Sequence, residues 1–235
     1  MAAPGLEAII LAGGQAERLG DAAGGRPKAL VEVAGRPLGA YQVARLAAAG
    51  VTRVIFACAA GQGDLFVTEL AGLGAEIVAA EEPERLGRGG GIKFAAALRQ
   101  TSGDVLALNG DELLDVDFGA LLARHRQGEP LATIAVAQPK SQFGVVAVDD
   151  QDVVRGFEEA GRVPYWVNCG QYVLTDEAIA RFPDRGDHES TTFPELAAEG
   201  RLHAFRHDGL WLTVNTPKEL RTARDHVAAH PEWLA

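Results

Sequence analysis

Short apolar runs alternate with amphipathic stretches through the first 130 residues of this chain. Runs at 7–12, 52–58, 76–80 and 104–108 read as strands, and apolar positions at helical spacing over 38–49, 62–71 and 90–100 fall between them. Such alternation predicts βαβ units and a mostly parallel sheet, with ligands collected at the carboxyl ends of the strands. A helix over 117–127 follows, with Asp117 as its N-cap. Past Pro130 the pieces become shorter and more β-branched, at 131–137, 143–148, 152–157 and 166–174. They predict a mixed or partly antiparallel extension that roofs one side of the cleft. Helices at 175–182 and 192–198, a strand at 202–206 and an apolar patch at 210–214 come next. A last helix at 217–229 opens on Pro217 behind a Thr216 cap. No repeat or low-complexity linker interrupts the pattern. The expectation is one domain over 1–235, divided into subregions at 1–130 and 131–235. Its class is α/β, a Rossmann-like three-layer fold whose mixed β extension forms one wall of the cleft.

Composition narrows the function. The 235 residues are 47 % apolar and carry a net charge of −10, which argues against disorder and against nucleic acid or an anionic membrane as a main partner. No apolar stretch approaches the roughly 20 residues that span a bilayer, and no basic segment followed by a hydrophobic one stands at the N-terminus, so a cytoplasmic protein is expected. Cys58 and Cys169 sit in apolar, strand-like contexts without a CxxC. They read as buried thiols and make no zinc site.

The richest chemistry lies in LAGGQAERLGDAAGGRPKAL, residues 11–30. Gly13 and Gly14 let the backbone close around a bulky group, and Arg18, Arg26 and Lys28 bring positive charge to the same loop. Oriented amides and mobile cations together suit a triphosphate. Asp111, in Asn109-Gly110-Asp111 at the end of a strand, can hold Mg²⁺ against phosphate oxygens, and Glu112 beside it is a weaker candidate. Gly87, Gly89, Gly90 and Gly91 in LGRGGGIK read as a glycine turn before a helix, open to a flat ligand or phosphate. Glu82, just upstream, suits the donor edge of a guanine. Arg88 either contacts phosphate or points to solvent, Asp208 could approach the metal from its loop, and His188 either reaches the ligand or lies on the surface.

Residues 11–30 resemble the LxGGxGxRLxxxxxxxPKxL signature of the sugar-1-phosphate nucleotidylyltransferases, with Gln15 and Glu17 where that family has smaller or more variable residues. The resemblance implies transfer of a nucleotidyl group from a nucleoside triphosphate, GTP favoured, to a sugar 1-phosphate with release of pyrophosphate. Mg²⁺ is the implied cofactor, and a homodimer is possible by family habit. It makes Arg18, Lys28 and Asp111 the catalytic set, with Asp111 also the metal ligand. Leu11, Ala12, Gly13, Gly14, Glu82, Gly87, Gly89, Asn109 and Gly110 would bind the nucleotide. Gly144, Glu159, Asn168, Gly170 and Tyr172, which match the FxEKP and NxGxY elements and their surroundings, would bind the sugar phosphate. Two departures stand out. The lysine after the element's glutamate is Ala160, and the aspartate of WxDIGTP is Thr213. Both losses admit an alternative, a catalytically impaired sugar-nucleotide-binding or regulatory protein. Transfer to an alcohol phosphate or a molybdenum cofactor fits the NxGxY element less well.

Overall fold

The computed structural model describes residues 5–14, 16–141 and 143–234, so Gln15 lies outside the described residues. In chain order the strands are β1 (Leu6–Leu11), β2 (Glu32–Val33), β3 (Arg36–Pro37), β4 (Val51–Ala59), β5 (Glu76–Glu82), β6 (Val105–Asn109), β7 (Glu112–Leu114), β8 (Ala132–Ala137), β9 (Val145–Val148), β10 (Val154–Glu158), β11 (Val167–Leu174), β12 (Leu202–Arg206) and β13 (Trp211–Thr213). The helices are α1 (Leu38–Ala48), α2 (Gly63–Glu69), α3 (Gly87–Ala96), α4 (Phe118–His125), α5 (Asp176–Ala180), α6 (Thr192–Ala198) and α7 (Pro217–Ala229). Asp117 caps α4 by accepting the Ala120 N–H at 2.9 Å, and Thr216 caps α7.

Seven strands form the central sheet in the order β12-β8-β11-β6-β1-β4-β5. All run parallel except β11, which is antiparallel to both β6 and β8. Successive side chains go to opposite faces, as a strand's two-residue period requires. Ile10 and Phe56 pack toward α1, α2 and α4 through Leu46, Phe66 and Leu121, while Ile9 and Ile55 pack toward α3, α5 and α6 through Ile92, Ile179 and Leu196. That is the expected three-layer α/β fold.

The expected β extension divides in two. Strands β8, β11 and β12 join the central sheet, whereas β9 and β10 pair only with each other as a separate antiparallel ribbon. Periodicity could not separate them, because which strand finds which partner is settled by long-range contact. The short pairs β2–β3 and β13–β7 carry too few residues for a periodic signal. A third apolar cluster joins Leu19, Val31, Val33 and Tyr41 to Val214, Leu220, Ala223 and Val227. It ties the basic loop to the start of α7. Cys58 and Cys169 are free and buried, and burial pushes each thiol up to about 12.

Candidate active site

The carboxyl ends of β1, β5 and β6 surround a cavity of about 280 Å³. Leu11, Ala12, Gly13, Gly14, Lys28, Glu82, Gly87, Asn109, Gly110 and Asp111, ten of the sequence candidates, line it. Arg85 and Arg88 line it too. Arg85 passed unnoticed in the sequence because it lies in a polar loop without a motif.

The Asn109–Glu112 turn is pinned from several elements. The Gly110 N–H donates to Leu11 O at 2.9 Å, and the Val214 N–H to Asp111 O at 2.8 Å. Buried Gln42 of α1 donates to Asn109 O at 2.8 Å and to Glu112 O at 3.0 Å. A rigidly held turn fixes where the Asp111 carboxylate stands. Lys28 donates to Asp111 Oδ2 at 3.0 Å and to Asn215 Oδ1 at 2.7 Å, and Arg18 reaches the same Asn215 oxygen at 3.2 Å. Arg18 therefore joins the site through Asn215, not as part of the cavity wall. Asp111 keeps 29 % of its side chain exposed.

Glu112 turns the other way, into the protein. Burial, with the Asp111 charge adding to it, pushes the Glu112 carboxyl well above the usual carboxylate range. It does not line the cavity. Glu82 accepts the Leu86 N–H through Oε2 at 3.1 Å, and its Oε1 faces Gly13 and Gly91. Burial, only partly opposed by that hydrogen bond, raises the Glu82 carboxyl.

The glycine-dense segment is not an open turn. Helix α3 begins at Gly87, and Gly89, Gly90 and Gly91 are buried inside it. The close neighbour that demands glycine is the chain itself. A Cβ on Gly87 would stand 2.6 Å from Gly186 O, one on Gly89 2.8 Å from His188 N, and one on Gly90 2.5 Å from Asp184 O. Gly87 still lines the cavity; Gly89 does not, and its N–H donates to Gly186 O at 2.9 Å.

Arg88 borders the cavity with 45 % of its side chain exposed, and its guanidinium is engaged by carboxylates. It pairs with Asp187 and with Glu189, the latter at 2.7 Å. Arg26 is likewise paired, with Glu69 of α2. Of the expected sugar-phosphate residues, Asn168 and Tyr172 meet. Asn168 donates to Tyr172 Oη and to Glu189 Oε1, and Tyr172 Oη also donates to Glu189 Oε1, each at 2.9 Å. Tyr172 is fully buried, so it supports Glu189 and cannot itself touch a ligand in this conformation. Gly170 lies on β11 at φ 66°, where the register shifts, and leaves room for Asn109 and Glu112. The Phe157 ring covers the face of Gly144, and Glu159 lies exposed in the turn after β10. Neither is joined to the Asn168–Tyr172–Glu189 network. Glu189 is another residue that sequence reasoning missed; its neighbours in the network are 17 and 21 positions away.

Asp208 is exposed, and its carbonyl accepts from Arg162. Thr213 donates its hydroxyl to Glu219 Oε1 at 2.8 Å. Among the described residues no three His, Cys, Asp or Glu side chains converge on a metal site. The donor set still fits Mg²⁺, which keeps several waters and accepts one carboxylate plus substrate phosphates.

His188 is neither a ligand contact nor a surface residue. Its ring is fully buried, stacked 4.7 Å from Phe182, and neither ring nitrogen has a partner among the described residues. Burial lowers its pKa to about 4, outweighing the attraction of Asp187. The unfolded chain takes up this proton near pH 6.5 and the folded chain only near 4, so the contribution is complete above 6.5 and is lost as pH falls through that window. A loss of about 3 kcal/mol is expected between neutral pH and pH 4. Urea unfolding at both pH values should show His188→Leu losing less than the parent by that margin; equal losses would refute the account.

The three-layer fold, with its cavity over the strand ends and Lys28 paired with the Asp111 carboxylate there, is the architecture of a Rossmann-like α/β nucleotidyltransferase. The comparisons agree with that class. Residues 7–230 match the family described as nucleotidyl transferase, and the chain belongs to it, among the sugar-1-phosphate nucleotidylyltransferases. It is 30 % identical over 97 % of its length to a mannose-1-phosphate guanyltransferase beta-A of Xenopus laevis, of which it covers 68 %. It is 32 % identical over 92 % of its length to a mannose-1-phosphate guanyltransferase of Emericella nidulans, of which it covers 63 %. The chain thus spans about two thirds of these relatives. In fold it is similar to HddC from Yersinia pseudotuberculosis, with a TM-score of 0.74 at 23 % identity, covering 94 % of this chain and 99 % of that one.

Proposed function

We propose that this protein transfers a nucleotidyl group, GMP from GTP in the favoured case, to a sugar 1-phosphate and releases pyrophosphate. The convergence of Arg18, Lys28 and Asp111 around one turn at the mouth of the sheet carries the reading. The nucleophile is already an anion, so the work of the site is alignment and charge neutralisation. Lys28 would bridge the reacting phosphates and Arg18 would stabilise the departing pyrophosphate. Asp111 would hold Mg²⁺, which supplies charge neutralisation at the triphosphate when bound. Glu82 supports a guanine, because its Oε1 faces the glycine loop and could accept from the N1–H and N2–H₂ edge. The guanyltransferase names of the relatives favour the same base. Asn168 and Glu189 would bind the sugar side, and the absent lysine at Ala160 points to an acceptor other than ordinary mannose 1-phosphate.

The same reading allows a homodimer. Phe143 and Phe157, beside and on the β9–β10 ribbon, are 77 % and 68 % exposed and are the surface such pairing would cover. Sedimentation as a monomer at tens of micromolar would remove that part of the reading.

The deciding experiment is pyrophosphate release with Mg²⁺, scanning GTP, CTP, UTP, dTTP and ATP against hexose and heptose 1-phosphates. Release with GTP and one sugar phosphate is expected, and Glu82→Gln should reduce the preference for GTP over ATP by at least about tenfold. Nucleotide binding without release from any pair would favour the binding or regulatory alternative.

A further inference from the structure

We propose that Asn215 is a positioning residue that holds Arg18 and Lys28 side by side for the leaving pyrophosphate, and that Glu219 fixes Asn215 for this task. The inference rests on the nucleotidyl-transfer reading. Asn215 stands where the WxDIGTP pattern has a glycine, so its side-chain oxygen is a feature of this chain beyond that pattern. That oxygen accepts from Lys28 at 2.7 Å and from Arg18 at 3.2 Å, across 187 and 197 residues of sequence. An amide oxygen has two lone pairs and no charge. It can therefore hold two cations close together without neutralising either, whereas a carboxylate there would cancel half of their charge.

Besides the Val214 N–H bond to Asp111 O, one side chain holds the backbone of this corner. Glu219, in the first turn of α7, accepts the Asn215 N–H at 2.9 Å and the Thr216 hydroxyl at 3.0 Å through Oε2, and the Thr213 hydroxyl at 2.8 Å through Oε1. Burial would raise this carboxyl, but those hydrogen bonds outweigh it and hold it below the usual range. The Thr213 hydroxyl proton is thus committed to Glu219. Glu219 stands three residues after the Thr216 cap and closes the start of α7 as a capping-box glutamate does. The Asn215 backbone, seated between Val214 in the apolar cluster and Thr216 at the cap, has little freedom to move away from the two cations.

Isothermal titration with inorganic pyrophosphate and Mg²⁺, set beside GMP, tests this. GMP carries no leaving phosphates. Asn215→Ala should weaken pyrophosphate binding at least about tenfold while GMP affinity and melting temperature stay close to the parent's. In an Arg18→Ala background the same change should cost less than about threefold, because residues acting as a unit are not additive. Asn215→Leu, which fills the space without an acceptor, should behave like Asn215→Ala. Equal losses for pyrophosphate and GMP, or additive losses with Arg18→Ala, would overturn the inference. Arg18→Ala weakening pyrophosphate while Asn215→Ala does not would sink it and leave the transfer reading standing. A parent protein that binds neither probe would remove both.

Discussion

Asp111→Asn is expected to lower the turnover of pyrophosphate release by about 10³-fold while leaving the fold intact, the scale seen when one charge-stabilising group is removed from a catalytic site. The side chain is partly exposed and its one ion pair among the described residues is with Lys28, which keeps Asn215 as a second partner. Loss of the pair should therefore cost no more than about 1 kcal/mol of stability. Its proposed role is larger, because the carboxylate would seat the metal and set the height of Lys28 at once. Turnover with the active nucleotide and sugar phosphate, read against Mg²⁺ concentration, checks this. A fall of less than tenfold would take Asp111 out of the catalytic set.

Gly170→Ala should destabilise the protein by about 3 kcal/mol. A residue with a Cβ costs roughly 1–2 kcal/mol in the left-handed region, and overpacking a closed site adds a similar amount. At φ 66° Gly170 meets both conditions, since a Cβ there would lie 2.6 Å from Glu112 Oε2 and closer still to the Asn109 amide. The consequence reaches the site. Gly170 donates its N–H to Asn168 Oδ1 at 2.8 Å, which frees the Asn168 amide nitrogen for Tyr172 and Glu189. Urea unfolding measures the effect, and a loss below 1 kcal/mol would mean that β11 relaxes around the added methyl.

Much of the fold was legible because its signals are local. The apolar runs located all the strands of the central sheet, and the Asp117 and Thr216 caps were readable because capping needs only a side chain and the next turn. The glycines of α3 were misread for the opposite reason. Sequence shows that a glycine lacks a Cβ, but not what approaches it, and for Gly87, Gly89 and Gly90 the neighbour is the 183–188 loop, 94 to 99 residues on. His188 was misjudged on both alternatives, since an imidazole seated among Phe182, Phe193 and Tyr172 leaves no periodic trace.

By itself the sequence determined the α/β class, the glycine loop, the position of Asp111 at a strand end and the two departures at Ala160 and Thr213. These rest on residue type and short spacing, which the local backbone reads directly. Only the tertiary structure decided that Asn215 joins Lys28 to Arg18, that Glu219 answers Thr213, that Arg88 is paired, and that Glu189 gathers Asn168 and Tyr172. Hydrogen bonds between side chains act over about 3 Å of space, whatever their separation along the chain. Partners far apart in sequence are brought within that reach by sheet pairing and the packing of the apolar clusters.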